Sequence, residues 1–373
     1  MKIAQVAPLY ESVPPKYYGG TEGVVSYLTE ELVRQGHEVT LFASGDSVTR
    51  AHLEVASPHA LRLDEQCEDQ LAHHMVLLKQ VSQEAGAFDL IHFHIDYLHF
   101  PLSERLSTPH VTTLHGRLDI PDLVPVYQAF PHVPVVSISD AQRTPLPWLN
   151  WQGTVYHGLP LNLHTFREAP GTYLAFLGRI SPEKGADRAI AIAQQAGMPL
   201  KIAANVGEDD REFFNQVIQP LLDHPLVEFV GEVGPKDRDA FLGQAYALLF
   251  PIEWPEPFGL VMIEAMACGT PVIAYRHGSV PEVLEDGVTG WIVEGMEAAV
   301  QAVARVASIS RQRCRQIFEE RFSAPRMTKD YLRIYQRLLG EEVADAGVLQ
   351  RKTRGMHSRV GTGDEHADSR VYF

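Results

Sequence analysis

The stretch Glu256-Pro257-Phe258-Gly259-Leu260-Val261-Met262-Ile263-Glu264 decides the fold of the second half of this chain and points to its site. Prolines on both sides of Glu256 favour extended backbone, so this carboxylate is predicted on a loop. Leu260 to Ala267 has the pattern of a buried helix that Gly269 ends, with Glu264 about one turn inside. The free N–H groups at such a helix start favour an anion, most naturally a phosphate. The plainer interpretation of this stretch is two surface glutamates around a core helix. If it is a binding site, a phosphate position flanked by carboxylates suits a nucleotide-sugar.

Outward from this stretch, short apolar runs alternate with amphipathic segments, which is typical of doubly wound α/β domains. A strand is predicted at Ile3–Ala7, followed by a helix at Thr21–Gln35 that Thr21 caps. Residues 140–170 are rich in Pro, Trp and Gly, and the alternation restarts after them. The spacing predicts a strongly periodic helix over 325–339, and the polar, Gly-rich residues 341–373 are expected to form a disordered tail.

The composition is that of a globular protein with an acidic balance. The chain has 373 residues, 45% of them hydrophobic, and a net charge of −15. This length favours two domains, each with its own core. The charge argues against a nucleic-acid partner, which needs a basic face, and disfavours attachment to an acidic membrane.

The cysteines and the N-terminus indicate the cellular compartment of the protein. Cys67, Cys268 and Cys314 are far apart and lack metal-type spacing, so we expect free thiols. Neither a secretory signal nor an apolar run of transmembrane length is visible. The sequence therefore predicts a cytoplasmic protein.

Two further motifs suit a phosphorylated ligand. Gly178-Arg179 and Lys184-Gly185 follow a predicted strand, and ligands of open α/β sheets bind beyond the carboxyl ends of strands. The two cations suit a diphosphate, although a solvated basic turn is the alternative. Gly19-Gly20 precedes a helix and would let the backbone approach a ligand closely. No G-x-G-x-x-G follows the first strand, which disfavours a nicotinamide enzyme.

Histidines form the last group of candidates. His115 ends the strand Val111–Leu114, where it could contact sugar hydroxyls or be structural. His92, His94 and His99 suggest a metal site by number only, since no Cys or carboxylate spacing completes it. We therefore expect packing and hydrogen bonding for these three, and no metal or cofactor.

In their order along the chain, these motifs resemble the retaining nucleotide-sugar glycosyltransferases of family 4. That family has the GT-B fold, with two Rossmann-like doubly wound α/β domains facing each other across a cleft. The resemblance runs from about residue 1 to 340 and is strongest from Glu256 to Ala274. Arg276-His277 departs from the family pattern, where small residues are more frequent, which leaves details of donor or acceptor binding open.

The resemblance implies a domain organisation and a set of roles. Residues 1–168 would bind the acceptor, 169–322 would bind the nucleotide-sugar, and 323–340 would be a helix crossing back to the first domain. The catalytic residues would be His115, Arg179, Lys184 and Glu256. The donor-binding residues would be Gly19, Gly20, Gly178, Val233, Phe258, Gly259, Leu260 and Glu264. No metal would be needed, because Arg179 and Lys184 would neutralise the leaving diphosphate.

The reaction expected from this resemblance is transfer of a hexose, with UDP-glucose as first choice of donor, to an unidentified acceptor hydroxyl. Two alternatives are a nucleotide-sugar epimerase of the same fold and a non-catalytic subunit that binds a sugar-nucleotide. The first is disfavoured by the Glu-Phe-Gly to Glu arrangement combined with Arg179 and Lys184, and the second by the intact set of phosphate and sugar groups.

Overall fold

A computed structural model describes residues 1–17 and 19–341 and arranges them in two parallel β-sheets. The predicted disordered tail lies outside the described residues except for Glu341. The first sheet has seven strands, and the second has six. No helix in the described part of the chain has both the length and the apolar character to span a bilayer.

The first sheet takes its strands from the N-terminal part of the chain. They are β1 (Lys2–Val6), β2 (Glu38–Ser44), β3 (His52–Ser57), β4 (Leu90–Phe93), β5 (His110–Thr113), β6 (Val135–Ser137) and β7 (Trp151–Thr154). Their order in the sheet is β3-β2-β1-β4-β5-β6-β7. The helices between them are α1 (Gly20–Arg34), α2 (Gln70–Glu84), α3 (Phe100–Ser103) and α4 (Leu123–Ala129).

The second sheet also consists of parallel strands connected by helices. Its strands are β8 (Tyr173–Arg179), β9 (Leu200–Asn205), β10 (Val227–Gly231), β11 (Ala245–Phe250), β12 (Val272–Tyr275) and β13 (Gly290–Val293), in the order β10-β9-β8-β11-β12-β13. Its helices are α5 (Ala186–Ala196), α6 (Arg211–Phe213), α7 (Pro235–Gly243), α8 (Leu260–Ala267), α9 (Val280–Val283), α10 (Gly295–Arg305) and α11 (Arg311–Arg321). The predicted boundary at 168/169 falls between β7 and β8, and as a boundary it stays a prediction.

The helix α12 (Ala324–Leu338), the last in the described part of the chain, packs on the first sheet although it follows the second in sequence. Met327, Tyr331 and Ile334 are buried in one core cluster with Ile3 of β1 and Val24 of α1. This periodic apolar face therefore joins the end of the chain to its beginning.

Several predicted elements differ from the structure. The helix predicted to be capped by Thr21 starts at Gly20, and the N-cap position is Gly19, with no side-chain cap. The sequence pattern of residues 209–222 predicts a single helix, but the structure divides this segment into α6, a π-turn at Phe214–Ile218 and a 3₁₀ turn at Gln219–Leu221. Pro220 lacks the N–H group that a regular helix needs there.

Candidate active site

A cleft between the two sheets has a volume of about 1040 Å³. It brings together every residue that the sequence placed in the site. Those residues are Gly19, Gly20, His115, Gly178, Arg179, Lys184, Val233, Glu256, Phe258, Gly259, Leu260 and Glu264. Because they come from both halves of the chain, neither half alone could form this site.

The starts of α1 and α8 meet in the cleft. Gly259, just before α8, has a left-handed backbone with φ 78°, which glycine adopts without steric cost. A Cβ atom at Gly20 would lie 3.3 Å from Leu260 Cδ1, so the two helix starts are in close contact. The free N–H groups of both helices therefore border one space, which favours a negatively charged ligand.

Lys184 and Glu256 form an ion pair inside the cleft. Lys184 Nζ lies 2.5 Å from Glu256 Oε2, and the two side chains are only 20% and 10% exposed. The ammonium group also lies 4.6 Å from the ring centroid of Trp254. A carboxylate and an aromatic ring thus hold the cation in place.

The loop that carries Glu256 rests on Gly278. A Cβ atom at Gly278 would come within 2.3 Å of the Glu256 carbonyl oxygen, and the residue has φ 50°. Ser279 donates its backbone N–H to the Glu256 carbonyl at 2.9 Å and its hydroxyl to the Phe258 carbonyl at 2.9 Å. The turn at Gly278-Ser279 therefore positions the loop that carries Glu256 and Phe258.

The other charged residues predicted in the site, Arg179 and Glu264, are also paired. Arg179 donates to Glu183 at 2.8 Å and lies 3.3 Å from Asp210. Glu264 accepts from Arg238 at 2.9 Å. An incoming diphosphate would compete for Arg179 with two carboxylates, so binding requires these contacts to rearrange.

His115 ends a hydrogen-bond chain that fixes its tautomer. Gln5 donates from Nε2 to the Tyr335 hydroxyl at 3.3 Å, and its Oε1 accepts from His94 Nε2 at 2.8 Å. His94 Nδ1 must then accept from His115 Nε2–H at 2.9 Å. His115 Nδ1 is left with a lone pair and makes no hydrogen bond to a described residue. Burial lowers the pKa of His115 to about 3, so the ring is neutral.

Sequence reasoning missed several residues that contact the predicted site. Arg238, Trp254, Asp210 and His94 all contact predicted site residues. Their partners are distant in sequence, so no local spacing could have shown these contacts.

One group has the composition of a metal site. Ligand atoms of His164, Asp239 and Cys268 lie within 4.8 Å of one another. However, Arg167 lies 3.8 Å from the Asp239 carboxylate, and burial raises the pKa of the Cys268 thiol to about 12. A nearby cation and a protonated thiol both disfavour a bound metal ion.

Comparison with known proteins agrees with this architecture. Residues 18–152 match the family model Glycosyltransferase Family 4, and residues 166–321 match Glycosyl transferases group 1. D-inositol 3-phosphate glycosyltransferase of Mycobacterium leprae is 31% identical over 233 residues, which are 55% of this chain and 50% of that protein. The chain thus matches about half the length of this curated relative.

Two solved structures share the fold. AviGT4, a glycosyltransferase involved in avilamycin A biosynthesis, has a TM-score of 0.71 at 24% identity, covering 91% of this chain and 98% of that one. Anabaena Alr3699/HepE in complex with UDP-glucose has a TM-score of 0.67 at 21% identity, covering 90% and 100%. With both family models matched in order, and with this fold, the chain belongs to the family 4 glycosyltransferases of the GT-B fold.

Proposed function

We propose that this protein is a retaining glycosyltransferase that moves a hexose from a nucleotide-diphosphate sugar to an acceptor hydroxyl without a metal ion. The observation that carries the proposal is the convergence of Lys184, Arg179 and the start of α8 on one cleft. Breaking a sugar–phosphate bond builds negative charge on the departing phosphate. Fixed cations and helix N–H groups directed at that phosphate lower the barrier.

The sugar end of the donor would lie between Glu256 and His115. Both line the cleft, and each offers hydrogen-bond acceptors, a carboxylate and the Nδ1 lone pair. Sugar hydroxyls donate to such groups. Because the hydrogen bond with His94 fixes the orientation of His115, this lone pair is already in place before the donor binds.

The nucleotide end would lie over the second sheet. Glu264 would accept from the ribose hydroxyls, and Val233 would border the base. The deep position of Glu264, with only 7% of the residue exposed, suits a ligand that enters the cleft with its ribose innermost. UDP-glucose is the first choice of donor, and Anabaena HepE, whose fold is similar, was solved with that molecule.

The configuration of the transferred sugar would be retained because the acceptor hydroxyl attacks the face from which the phosphate leaves. The departing phosphate would take up the proton of that hydroxyl. Glu256 is held in an ion pair with Lys184. Because of that pairing, we expect this carboxylate to orient the donor sugar and to contribute to the electrostatics of the site, and not to act as a nucleophile. Closing the two halves around the donor would exclude water and limit hydrolysis.

Donor identity can be tested by thermal unfolding with UDP, GDP, ADP, dTDP and their hexose conjugates, with EDTA present. A ligand at about 100 times its dissociation constant should stabilise the protein by about 2.7 kcal/mol. A selective shift names the donor. If stabilisation and donor cleavage both required a divalent cation, the metal-independent proposal would be wrong.

The role of Lys184 can be tested with Lys184→Ala. Loss of one fixed cation beside a developing charge should lower the rate about 100-fold, or about 3 kcal/mol, while the protein stays folded. Lys201→Ala is the matched control, since Lys201 also forms an ion pair in the second half, 2.9 Å from Glu228, but lies outside the cleft. Near-normal donor cleavage by Lys184→Ala would contradict the assignment.

A further inference from the structure

The N-terminal side of the cleft carries a second group of polar and aromatic residues that the donor does not use. We call it the acceptor wall and define it as Tyr10, Glu11, Glu22, Asp96 and Tyr97, all of which line the cleft. Burial raises the pKa of Tyr10, and Asp96, Tyr97 and Glu22 lie near enough to raise it further.

The described charges of the acceptor wall are mainly negative. Arg62, the nearest cation, is in contact with Glu11. Arg117, further along the cleft, donates twice to Asp119, at 2.6 and 2.7 Å. Among the described residues neither Glu22 nor Asp96 forms a salt bridge, and both line the cleft. Burial raises the pKa of these carboxyls to about 7 and about 6, so both carry a negative charge above those pH values, although Arg62 acts on Glu22 in the opposite direction.

His74 does not supply a positive charge either. Its Nε2 accepts from the backbone N–H of Leu9 at 3.2 Å, and its Nδ1–H donates to the Gln70 carbonyl at 2.8 Å. Both ring nitrogens are therefore used by a neutral imidazole, and burial lowers the pKa of this residue. A phosphate group placed against the acceptor wall would meet three carboxylates and would have to compete with Glu11 for Arg62, the cation that lines the cleft there.

Two observations show that the wall is suited to a ligand. Glu11 is only 2% exposed, yet its Oε2 makes no hydrogen bond within the described part of the chain. Tyr10 and Tyr97 keep 42% and 37% of their surface exposed at the same place. Carboxylates that accept from hydroxyls, beside exposed aromatic rings, are the groups that bind an uncharged sugar.

We propose that the acceptor is an uncharged saccharide, bound by Asp96 and Glu22 and packed on Tyr10 or Tyr97, and that phosphorylated sugars are rejected. This inference rests on the proposed function, because it concerns the second substrate of the same cleft. Like charges that face each other across an interface suppress the wrong partner. The acceptor wall would reject a phosphate in this way.

The test uses purified full-length protein with the donor that the thermal panel selects. Matched pairs serve as probes: glucose and glucose 6-phosphate, galactose and galactose 6-phosphate, and myo-inositol and its monophosphate. Binding to the protein with UDP present is measured by saturation-transfer NMR, and transfer is measured by product formation. The neutral member of at least one pair should bind, and it should be favoured at least tenfold over its phosphorylated partner.

Asp96→Asn keeps the size of the side chain, and Asn also accepts the left-handed backbone at this position, where φ is 48°. The variant should lower kcat/KM for the neutral acceptor at least tenfold and reduce the discrimination against its phosphorylated partner. Glu22→Gln gives an independent variant if Asp96→Asn is poorly folded. Glu104→Gln removes the same charge from an exposed position outside the cleft and should change neither value.

The outcomes separate the two proposals. If no nucleotide-sugar stabilises the protein or is cleaved, the proposed function fails and this inference fails with it. If the donor is cleaved but a phosphorylated sugar is preferred, or no neutral sugar binds, only the inference about the acceptor is overturned.

Discussion

At the residue scale, the site depends on contacts that place a few charged groups within hydrogen-bond distance. Lys184 and Glu256 are 72 positions apart in sequence, and their side-chain atoms are 2.5 Å apart. Each was predicted in the site from its own motif. Their pairing has a consequence for the donor, because a phosphate that approaches Lys184 must share the ammonium group with Glu256.

Gly278 provides a prediction at this scale. In Gly278→Ala, the new Cβ would overlap the backbone of Glu256, at 2.3 Å from its carbonyl oxygen, and φ is 50°. The left-handed backbone costs about 1–2 kcal/mol for a non-glycine residue, and displacement of the loop adds to it. We expect urea unfolding to show a loss of at least about 2 kcal/mol, together with slower donor cleavage.

Gly86→Ala is the control for Gly278→Ala. A Cβ at Gly86 would have no neighbour within 4 Å, so this change should leave stability and activity close to those of the wild type. Equal behaviour of the two variants would contradict the role assigned to Gly278.

At the element scale, α12 connects the end of the chain to the first sheet through hydrogen bonds as well as apolar packing. The Tyr335 hydroxyl lies 2.7 Å from His92 Nδ1 and accepts from Gln5 at 3.3 Å. The Tyr331 hydroxyl lies 2.9 Å from Thr113 Oγ1. Through Gln5 and His94, this helix is linked to the orientation of His115.

Tyr335→Phe tests this link. The change leaves two buried atoms, His92 Nδ1 and Gln5 Nε2, without their hydrogen-bond partner, and each unsatisfied group costs about 1–3 kcal/mol. We expect a lower free energy of unfolding and a weaker preference for one tautomer of His115. Urea unfolding measures the first effect, and ¹⁵N chemical shifts of the imidazole measure the second.

Tyr246→Phe is the matched control. Tyr246 is half-buried, and its hydroxyl makes no hydrogen bond to another residue that the structure describes. Loss of this hydroxyl should have little effect on the free energy of unfolding or on the tautomer of His115. If Tyr335→Phe were as harmless as Tyr246→Phe, α12 would be held by its apolar face alone.

At the scale of the whole molecule, buried titratable groups determine how stability depends on pH. Burial lowers the pKa of several histidines, most strongly in five that are neutral in the folded protein. They are His92, His94, His99, His115 and His157. In the unfolded chain they bind protons below about pH 6.5, so acidification favours unfolding.

These histidines determine the predicted slope of the free energy of unfolding against pH. Each histidine should remove about 1.4 kcal/mol of stability per pH unit as pH falls below about 6.5. Burial also raises the pKa of Glu22 to about 7 and that of Asp96 to about 6. Those carboxyls act in the opposite direction, because the folded protein binds the extra proton as pH falls toward their unfolded pKa values. The histidines outnumber them, so the net effect is destabilisation in acid.

Urea unfolding at pH 7.5, 6.5, 5.5 and 5.0 measures this slope. His115→Gln should reduce it by about one proton, since one buried imidazole is removed. A free energy of unfolding that stays constant from pH 6.5 to 5.0 would show that the buried histidines do not control the acid stability of this protein.

Sequence patterns alone predicted the elements whose residues are buried as continuous or periodic runs. The helix Leu260–Ala267 was predicted with the bounds that the structure shows, and the helix at 325–339 is shifted by one residue. The strands missed were β3, β7 and β13, which are half-exposed or lie at a sheet edge. Such strands lack the apolar run that marks a strand buried on both faces.

By itself, the sequence determined the α/β class, the family and the motifs that line the cleft, because each depends on residues that are close together in the chain. Only the tertiary structure decided which charged groups meet, such as Lys184 with Glu256 and Arg238 with Glu264. It also decided the tautomer of His115 and the acidic character of the acceptor wall. These properties arise between residues far apart in sequence, where packing of the two sheets and α12 sets the distances, and no local spacing encodes them.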